Sequence, residues 1–128
     1  MSQDAESGKR AAEYGHKTAA QVAEQIGAKR VTPHANEFEY KGQRVTIRTA
    51  REKTDSVGVT YNMLKRLQLV IGAFEVAPNE YELYSLSPHL YQANLRDSLT
   101  GKGKVGLVRR KVFLECGTFV ARVDLPAT

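Results

Sequence analysis

Two acidic residues, Glu37 and Glu39, are the candidates for metal chemistry in this chain, within the run NEFEYKGQRVTIRTA. Residues two apart on a β-strand face the same side, and converging carboxylates can hold Mg²⁺ against a phosphate. The following run, residues 44–50, contains no acid, so a second carboxylate would come from elsewhere, for example Glu6 or Glu13. The simpler interpretation is that Glu37 and Glu39 face solvent on a strand.

The histidines and the cysteine lack the spacing of a metal site. His16, His34 and His89 are far apart in the sequence, and Cys116 has no nearby histidine and no second cysteine with which to form a disulfide. The segment 100–104 is rich in glycine and lysine, but it lacks the strand–loop–helix frame of nucleotide-binding motifs. We therefore expect the three histidines and the cysteine to be structural.

Positive charge is concentrated in one segment, although the net charge of the whole chain is only +5, with a sequence pI near 9.4. Between Asp97 and Glu115 there is no acidic residue, and the segment contains Lys102, Lys104, Arg109, Arg110 and Lys111. Such a cluster is typical of a surface that neutralises nucleic-acid phosphates. The alternative is a solvated edge strand whose lysines and arginines prevent edge-to-edge pairing.

Length and composition indicate one globular domain, spanning residues 1–128. The chain is 41% hydrophobic and 26% charged, which is ordinary for a folded protein. No apolar run approaches the ~20 residues of a membrane span, and no leader of basic and then apolar residues begins the sequence. We therefore expect no membrane partner and a cytoplasmic or nucleoid location.

Hydrophobic periodicity predicts the order of the elements. A helix is expected over residues 6–28, closed by Gly27, followed by short strands at 30–32, 37–41 and 44–50, of which the last two form a hairpin around Gly42. A second helix is expected to begin at the caps 54–56 and to be ended by Pro78 and Asn79, and an inner strand follows over 80–86. Ser87 and Pro88 predict the start of a short helix through about Leu99. Residues 105–124 are expected to form one long strand, or two broken at Gly117.

Helix, three strands, helix, strand is the common core of the PD-(D/E)XK nucleases, and the sequence resembles that superfamily. The nearest resemblance is to small homodimeric type II restriction enzymes of the PvuII kind. The likeness runs from about Pro33 to Phe119 and is carried by NEFEYKGQRVTIRTA, EYELYSLSP and RRKVFLECGTF. It implies an α/β (α+β) fold with a restriction-endonuclease-like core and a β C-terminal extension, a surface for double-stranded DNA, and a homodimer.

The resemblance implies a degenerate catalytic motif. Aligned through the turn at Gly42, the chain has Asn36 at the first acid, Thr46 at the second and Arg48 at the lysine of the family pattern. Asn and Thr offer neutral oxygens, and arginine does not deprotonate, so a metal loses its electrostatic anchor. The expected function is therefore DNA binding without catalysis and without a cofactor, with Arg48 and the five basic residues above as DNA contacts.

Two other functions remain open at this point. A one-residue slip in strand register would turn Glu37 or Glu39 inward and give an active Mg²⁺-dependent DNA endonuclease. Alternatively, the chain is a protein-interaction domain whose basic segment serves only solubility. Cleavage of plasmid DNA in Mg²⁺ separates the endonuclease from the first function, and salt-dependent DNA retention separates both from the third.

Overall fold

The computed structural model describes residues 2–32, 35–99 and 103–126, and for residues 2–13 the helical backbone only. In chain order the elements are α1 (Ser2–Ile26), β1 (Lys29–Arg30), β2 (Glu37–Tyr40), β3 (Gln43–Ala50), β4 (Ser56–Thr60), α2 (Tyr61–Leu64), β5 (Leu69–Ala77), β6 (Glu80–Leu86), α3 (Pro88–Asn94), β7 (Arg96–Asp97), β8 (Val105–Arg109), α4 (Arg110–Cys116) and β9 (Thr118–Asp124). The protein is a mixed α+β structure with a core made mostly of sheet.

Six strands form the main sheet, in the order β1-β2-β3-β5-β6-β9, and three form a smaller sheet, in the order β4-β8-β7. Every neighbouring pair is antiparallel except β3 and β5, which run parallel. A parallel pair requires a crossover connection rather than a hairpin. Here β4 and the one-turn helix α2 form that crossover.

The two faces of the main sheet bury separate hydrophobic cores. On one face, Val22 of α1 packs in a cluster with Ile47 and Leu83 of the sheet. On the other, the smaller sheet and the short helices cover a cluster that includes Phe74, Tyr91 and Phe113. Because both faces are covered, the central strands are apolar along most of their length.

Several predicted elements are confirmed. The first helix ends at Ile26, and Gly27 adopts a φ of 76°, which favours glycine. The hairpin of β2 and β3 turns at Lys41 and Gly42, both with positive φ. The strand at residues 80–86 lies between β5 and β9. The Ser87 hydroxyl caps α3 by accepting from the Leu90 N–H at 3.1 Å, although α3 ends at Asn94 rather than near Leu99.

The helix predicted between the caps at 54–56 and Pro78 is wrong. That stretch forms β4, α2 and β5 instead. β5 is buried on both faces, so its apolar residues satisfy helical spacing as well as strand alternation. The β-branched residues Val70, Ile71 and Val76 within it favour a strand.

The C-terminal prediction is correct at Gly117, where α4 ends and β9 begins, but residues 110–116 are helical rather than extended. α4 buries Phe113, whose ring lies 5.2 Å from that of Phe74 and 6.3 Å from that of Tyr91. Aromatic packing onto the sheet therefore fixes this helix. Within the described ranges, no helix is long and apolar enough to cross a membrane.

Candidate nucleic-acid interface

The β2–β3 hairpin carries the residues that the sequence singled out. Glu37 lies opposite Thr46 in the strand register. The alternate residues Val45 and Ile47 belong to the core under α1, so Thr46 and Arg48 face the other side, toward the smaller sheet. The structure therefore brings Thr46 and Arg48 to one face.

Asn36 contributes its main chain to this face, but its side chain turns toward α1. Its carbonyl oxygen accepts a hydrogen bond from the Thr46 hydroxyl at 2.5 Å, whereas its Oδ1 lies 3.3 Å from Nη1 of Arg30. The Arg30 guanidinium stacks over the ring of Phe38, which is part of the core under α1. The three positions of the family motif therefore do not point together.

The Glu37 side chain, rather than that of Asn36, lies on the face of Thr46 and Arg48. It is only 1% exposed. Nη1 of Arg44 lies 2.6 Å from one carboxylate oxygen, and Nη2 of Arg66 lies 3.0 Å from the other. Burial raises the pKa of Glu37, but the hydrogen bonds and charges of the two arginines together outweigh it and hold the pKa below its usual value. Glu37 is therefore an ionised carboxylate whose negative charge is balanced by the two arginines. Glu39, two residues on, is exposed.

These residues do not fit a Mg²⁺ site. Both oxygens of Glu37 are held by guanidinium groups, and Arg48 adds a further positive charge on the same face. The described residues contain no group of three His, Cys, Asp or Glu that could hold a metal ion. The side chains of Glu6 and Glu13 lie outside the described part of the structure.

Arg48 is a cation with no carboxylate partner in the described part of the chain. It is partly buried, and desolvation lowers the pKa of its guanidinium. No carboxylate in the described ranges lies within ion-pair distance of it. Tyr91, the nearby titratable group, directs its hydroxyl to the carbonyl oxygens of Gly106 and Val57, at 2.7 and 3.2 Å. Arg48 is therefore a fixed cation between the two sheets.

A cleft of about 310 Å³ continues the charged surface beyond Arg66. Nη1 of Arg66 donates to the Asn62 carbonyl at 3.1 Å, and Asn62 lines this cleft together with Lys104. We call Arg44, Arg66 and Lys104 the basic strip. Its exposed guanidinium and ammonium groups run from the hairpin to the loop before β8.

Asp97 orders the loop at the far end of the basic strip. Both of its carboxylate oxygens lie 3.0 Å from the Gly103 N–H, and Oδ1 also accepts from the Tyr61 hydroxyl at 2.8 Å. The hydrogen bond to Asp97 is the main reason that the pKa of Tyr61 is raised. The Tyr61 N–H in turn donates to the Lys104 carbonyl at 2.9 Å. Lys104 is therefore held at the rim of the cleft by its main chain.

The other predicted DNA contacts differ in their exposure and hydrogen bonding. Arg109, at the end of β8, and Lys111, in α4, are exposed. Arg110 donates to the carbonyls of Arg51 and Thr54, at 3.0 and 3.1 Å, so its guanidinium anchors the loop before β4. Lys102 lies outside the described residues, as does His34. His89 and Cys116 are exposed on α3 and α4.

Arg44 and Arg66 were missed by sequence reasoning. Arg44 alternates with Thr46 and Arg48 along β3, so strand periodicity alone could have placed it on the same face. No local signal could have found Arg66, because its position depends on the crossover through β4 and α2.

Comparisons of the chain with protein-family models, with curated proteins and with solved structures gave no match. The function is therefore inferred from the geometry of the described residues and from the order of the elements.

Proposed function

We propose that this protein binds double-stranded DNA through phosphate contacts and does not cleave it. The observation that carries the proposal is the basic strip. Arg44 and Arg66 share a single carboxylate, that of Glu37, yet their side chains remain 42% and 54% exposed. Each guanidinium has five N–H donors in a planar fork, which suits phosphate oxygens. Lys104 lines the cleft together with Asn62, the residue to which Arg66 donates, and Arg48 has no acidic partner among the described residues. Both increase the excess of positive charge.

The order of the strands supports a restriction-endonuclease-like fold. A helix precedes three strands that pair as an antiparallel meander, and a crossover then leads to β5, parallel to β3. The restriction-endonuclease core has a helix in this crossover, whereas the present chain has β4 and one helical turn there. In the nuclease family the hairpin side chains face the scissile phosphate, and here the corresponding face carries the basic strip.

The absence of catalysis follows from the pairing of Glu37. A second candidate, an Mg²⁺-dependent endonuclease, is favoured by one observation, namely that Glu37 lies on the face of Thr46 and Arg48. To bind a metal, however, Glu37 would have to give up its ion pairs with two arginines. The nearest other acidic residue on the strand, Glu39, is exposed. The electrostatic cost of this exchange favours binding without cleavage.

DNA binding is tested by fluorescence anisotropy with a duplex of about 20 base pairs at several salt concentrations. The triple variant Arg66→Gln, Lys104→Gln, Arg109→Gln removes two residues of the basic strip and leaves Arg44 on Glu37. It should bind all sequences more weakly, with a salt slope flatter by up to about 0.9 per lost contact. The matched control has the same change in net charge and combines Lys29→Gln, Lys53→Gln and Arg122→Gln. The control should keep the native affinity and slope.

Equal losses in the two triple variants, or no retention of DNA at low salt, would contradict the proposal and favour a protein-interaction domain. Supercoiled plasmid incubated with the native protein in Mg²⁺ or Mn²⁺ should remain uncut. Cleavage that Glu37→Gln or Glu39→Gln abolishes would establish the endonuclease instead.

A further inference from the structure

A second cleft, of about 250 Å³, lies between α1 and the end of the main sheet. Tyr14, Lys17, Thr18 and Gln21 line it from α1, at the spacing of one helical face. The opposite wall includes Arg51, Glu75 and Tyr81, and the C-terminal residues Leu125 and Pro126 close one side. None of the DNA contacts proposed above lines this cleft.

Two cations in the cleft, Arg51 and Lys17, have no acidic partner among the residues that the structure describes. The Arg51 guanidinium stacks over the Tyr14 ring, 4.1 Å from its centroid, which fixes its position without using its N–H donors. In the described part of the chain, no carboxylate lies within ion-pair distance of Arg51 or Lys17. Both cations therefore have donors to offer to a bound anion.

The floor of the cleft supplies neutral hydrogen-bond donors. The hydroxyls of Tyr14 and Tyr81 lie 2.5 Å apart, so one donates to the other and one proton remains for a ligand. Tyr81 is only 2% exposed, and its burial is the largest cause of a strongly raised pKa. It therefore remains a protonated phenol at any physiological pH.

Glu75 limits the charge of the ligand. Its Oε1 already accepts the Glu52 N–H at 3.0 Å, and its negative charge offsets one of the two cations. The remaining charge of about +1 matches a ligand with one anionic headgroup. Leu125 and Pro126 provide an apolar wall for a short organic part. The cleft volume of about 250 Å³ suits a ligand of the size of a small metabolite.

We propose that this cleft binds a small organic molecule through an oxyanion headgroup, either a carboxylate or a phosphate, contacted by Lys17, Arg51 and the Tyr14–Tyr81 pair. The site is separate from the basic strip. Arg44 stands near the beginning of β3 and Arg51 just after its end, seven residues apart, so the two lie about 23 Å from each other. A ligand here leaves the phosphate contacts of the strip accessible.

The site is tested by ¹H–¹⁵N NMR titration of the full chain with inorganic phosphate and, separately, with propionate, at ionic strength held constant with NaCl. At least one probe should give saturable shifts centred on the amides of Thr18, Gln21 and Arg51. The probe that saturates identifies the headgroup.

Variants then assign the contacts. Arg51→Gln and Lys17→Gln should each raise the dissociation constant of the saturating probe at least fivefold. Glu75→Gln should lower it, because the amide keeps the Glu52 contact and removes the opposing charge. The matched control is Lys29→Gln, which removes an exposed cation elsewhere and should leave the dissociation constant unchanged. Shifts that stay linear for both probes, or an Arg51→Gln protein with native affinity, would overturn the proposal.

Discussion

At the scale of single residues, Glu37 shows how neighbours decide what a carboxylate does. Alone on a buried strand face it would be protonated, or it would attract a metal. With Arg44 and Arg66 in contact it is held ionised and contributes an ion pair that joins the hairpin to the crossover. The same contact positions the two arginines for the proposed phosphate binding.

Replacing Glu37 with Gln should lower the free energy of unfolding at pH 7 by about 1.5–3 kcal/mol, the range for hydrogen bonds to charged groups. We expect the lower part of that range, because both arginines are about half exposed and water screens their charges. Urea unfolding followed by circular dichroism measures the change. Glu39→Gln, exposed on the same strand, is the matched control and should stay within ±0.5 kcal/mol.

The stability difference should also depend on pH. The pKa of Glu37 is lowered by folding, so the stabilisation is fully present above the unfolded pKa of about 4.3 and is lost as the pH falls through the folded value. The stabilities of the native protein and the Glu37→Gln variant should therefore begin to converge as the pH falls below about 4.3, and they should meet below the folded pKa. A difference that persists undiminished at pH 3 would mean that the loss comes from packing rather than charge.

Sequence reasoning reached part of this site. Strand alternation correctly placed Thr46 and Arg48 on one face, because β3 is regular along its length. It failed at Asn36, which precedes the first residue of β2, where alternation has not yet begun. The basic residues of segment 97–115 were grouped by their proximity in sequence, but Arg110 turns inward to bind carbonyls.

At the scale of elements, the hairpin, the first helix and β6 could be predicted because local signals agree with the final packing. The crossover could not, since α2 is a single turn and β5 is covered on both sides by distant parts of the chain. The helix α4 was not predicted, for a related reason. Its apolar contact is mainly the insertion of Phe113 between Phe74 and Tyr91, which are far away in sequence.

Gly117 fixes the junction between α4 and β9. A Cβ atom there would lie 2.5 Å from the Phe113 carbonyl oxygen and 2.6 Å from that of Ser85, both main-chain atoms that cannot rotate away. Gly117→Ala should therefore lower the free energy of unfolding by about 1–3 kcal/mol or more, as overpacking does. Denaturant unfolding measures the loss.

Gly15→Ala in α1 is the matched control. It meets no heavy atom within 4 Å and lies in a helix interior, so the same change should raise stability by about 0.5–1 kcal/mol. Losses of similar size at both positions would show that the main-chain contact at Gly117 is not the cause.

At the scale of the whole molecule, the main sheet separates two surfaces. The face under the smaller sheet leads to the basic strip, whereas the α1 face leads to the cleft around Tyr14 and Arg51. α1 has 25 residues and is about 37 Å long, whereas β5, the longest strand, has nine and spans about 30 Å. The helix is therefore longer than the sheet on which it packs.

A homodimer remains the prediction for the assembled protein. The proposed likeness to homodimeric restriction enzymes implies a two-fold pair on duplex DNA, and the excess length of α1 offers backbone beyond the sheet for a partner copy. A two-fold pair would place two basic strips on one duplex, which doubles the phosphate contacts and steepens the salt dependence of binding. Sedimentation equilibrium at micromolar concentration should give about twice the chain mass of 14.2 kDa.

The measurement should be repeated over a range of protein concentrations, because the dimer fraction follows mass action. Addition of a duplex of about 20 base pairs should then give a complex with two chains per duplex. If the protein sediments at 14.2 kDa at every concentration and binds the duplex as one chain, the prediction is wrong. The basic strip would in that case act alone, and its salt slope should be that of a single set of phosphate contacts, about half as steep.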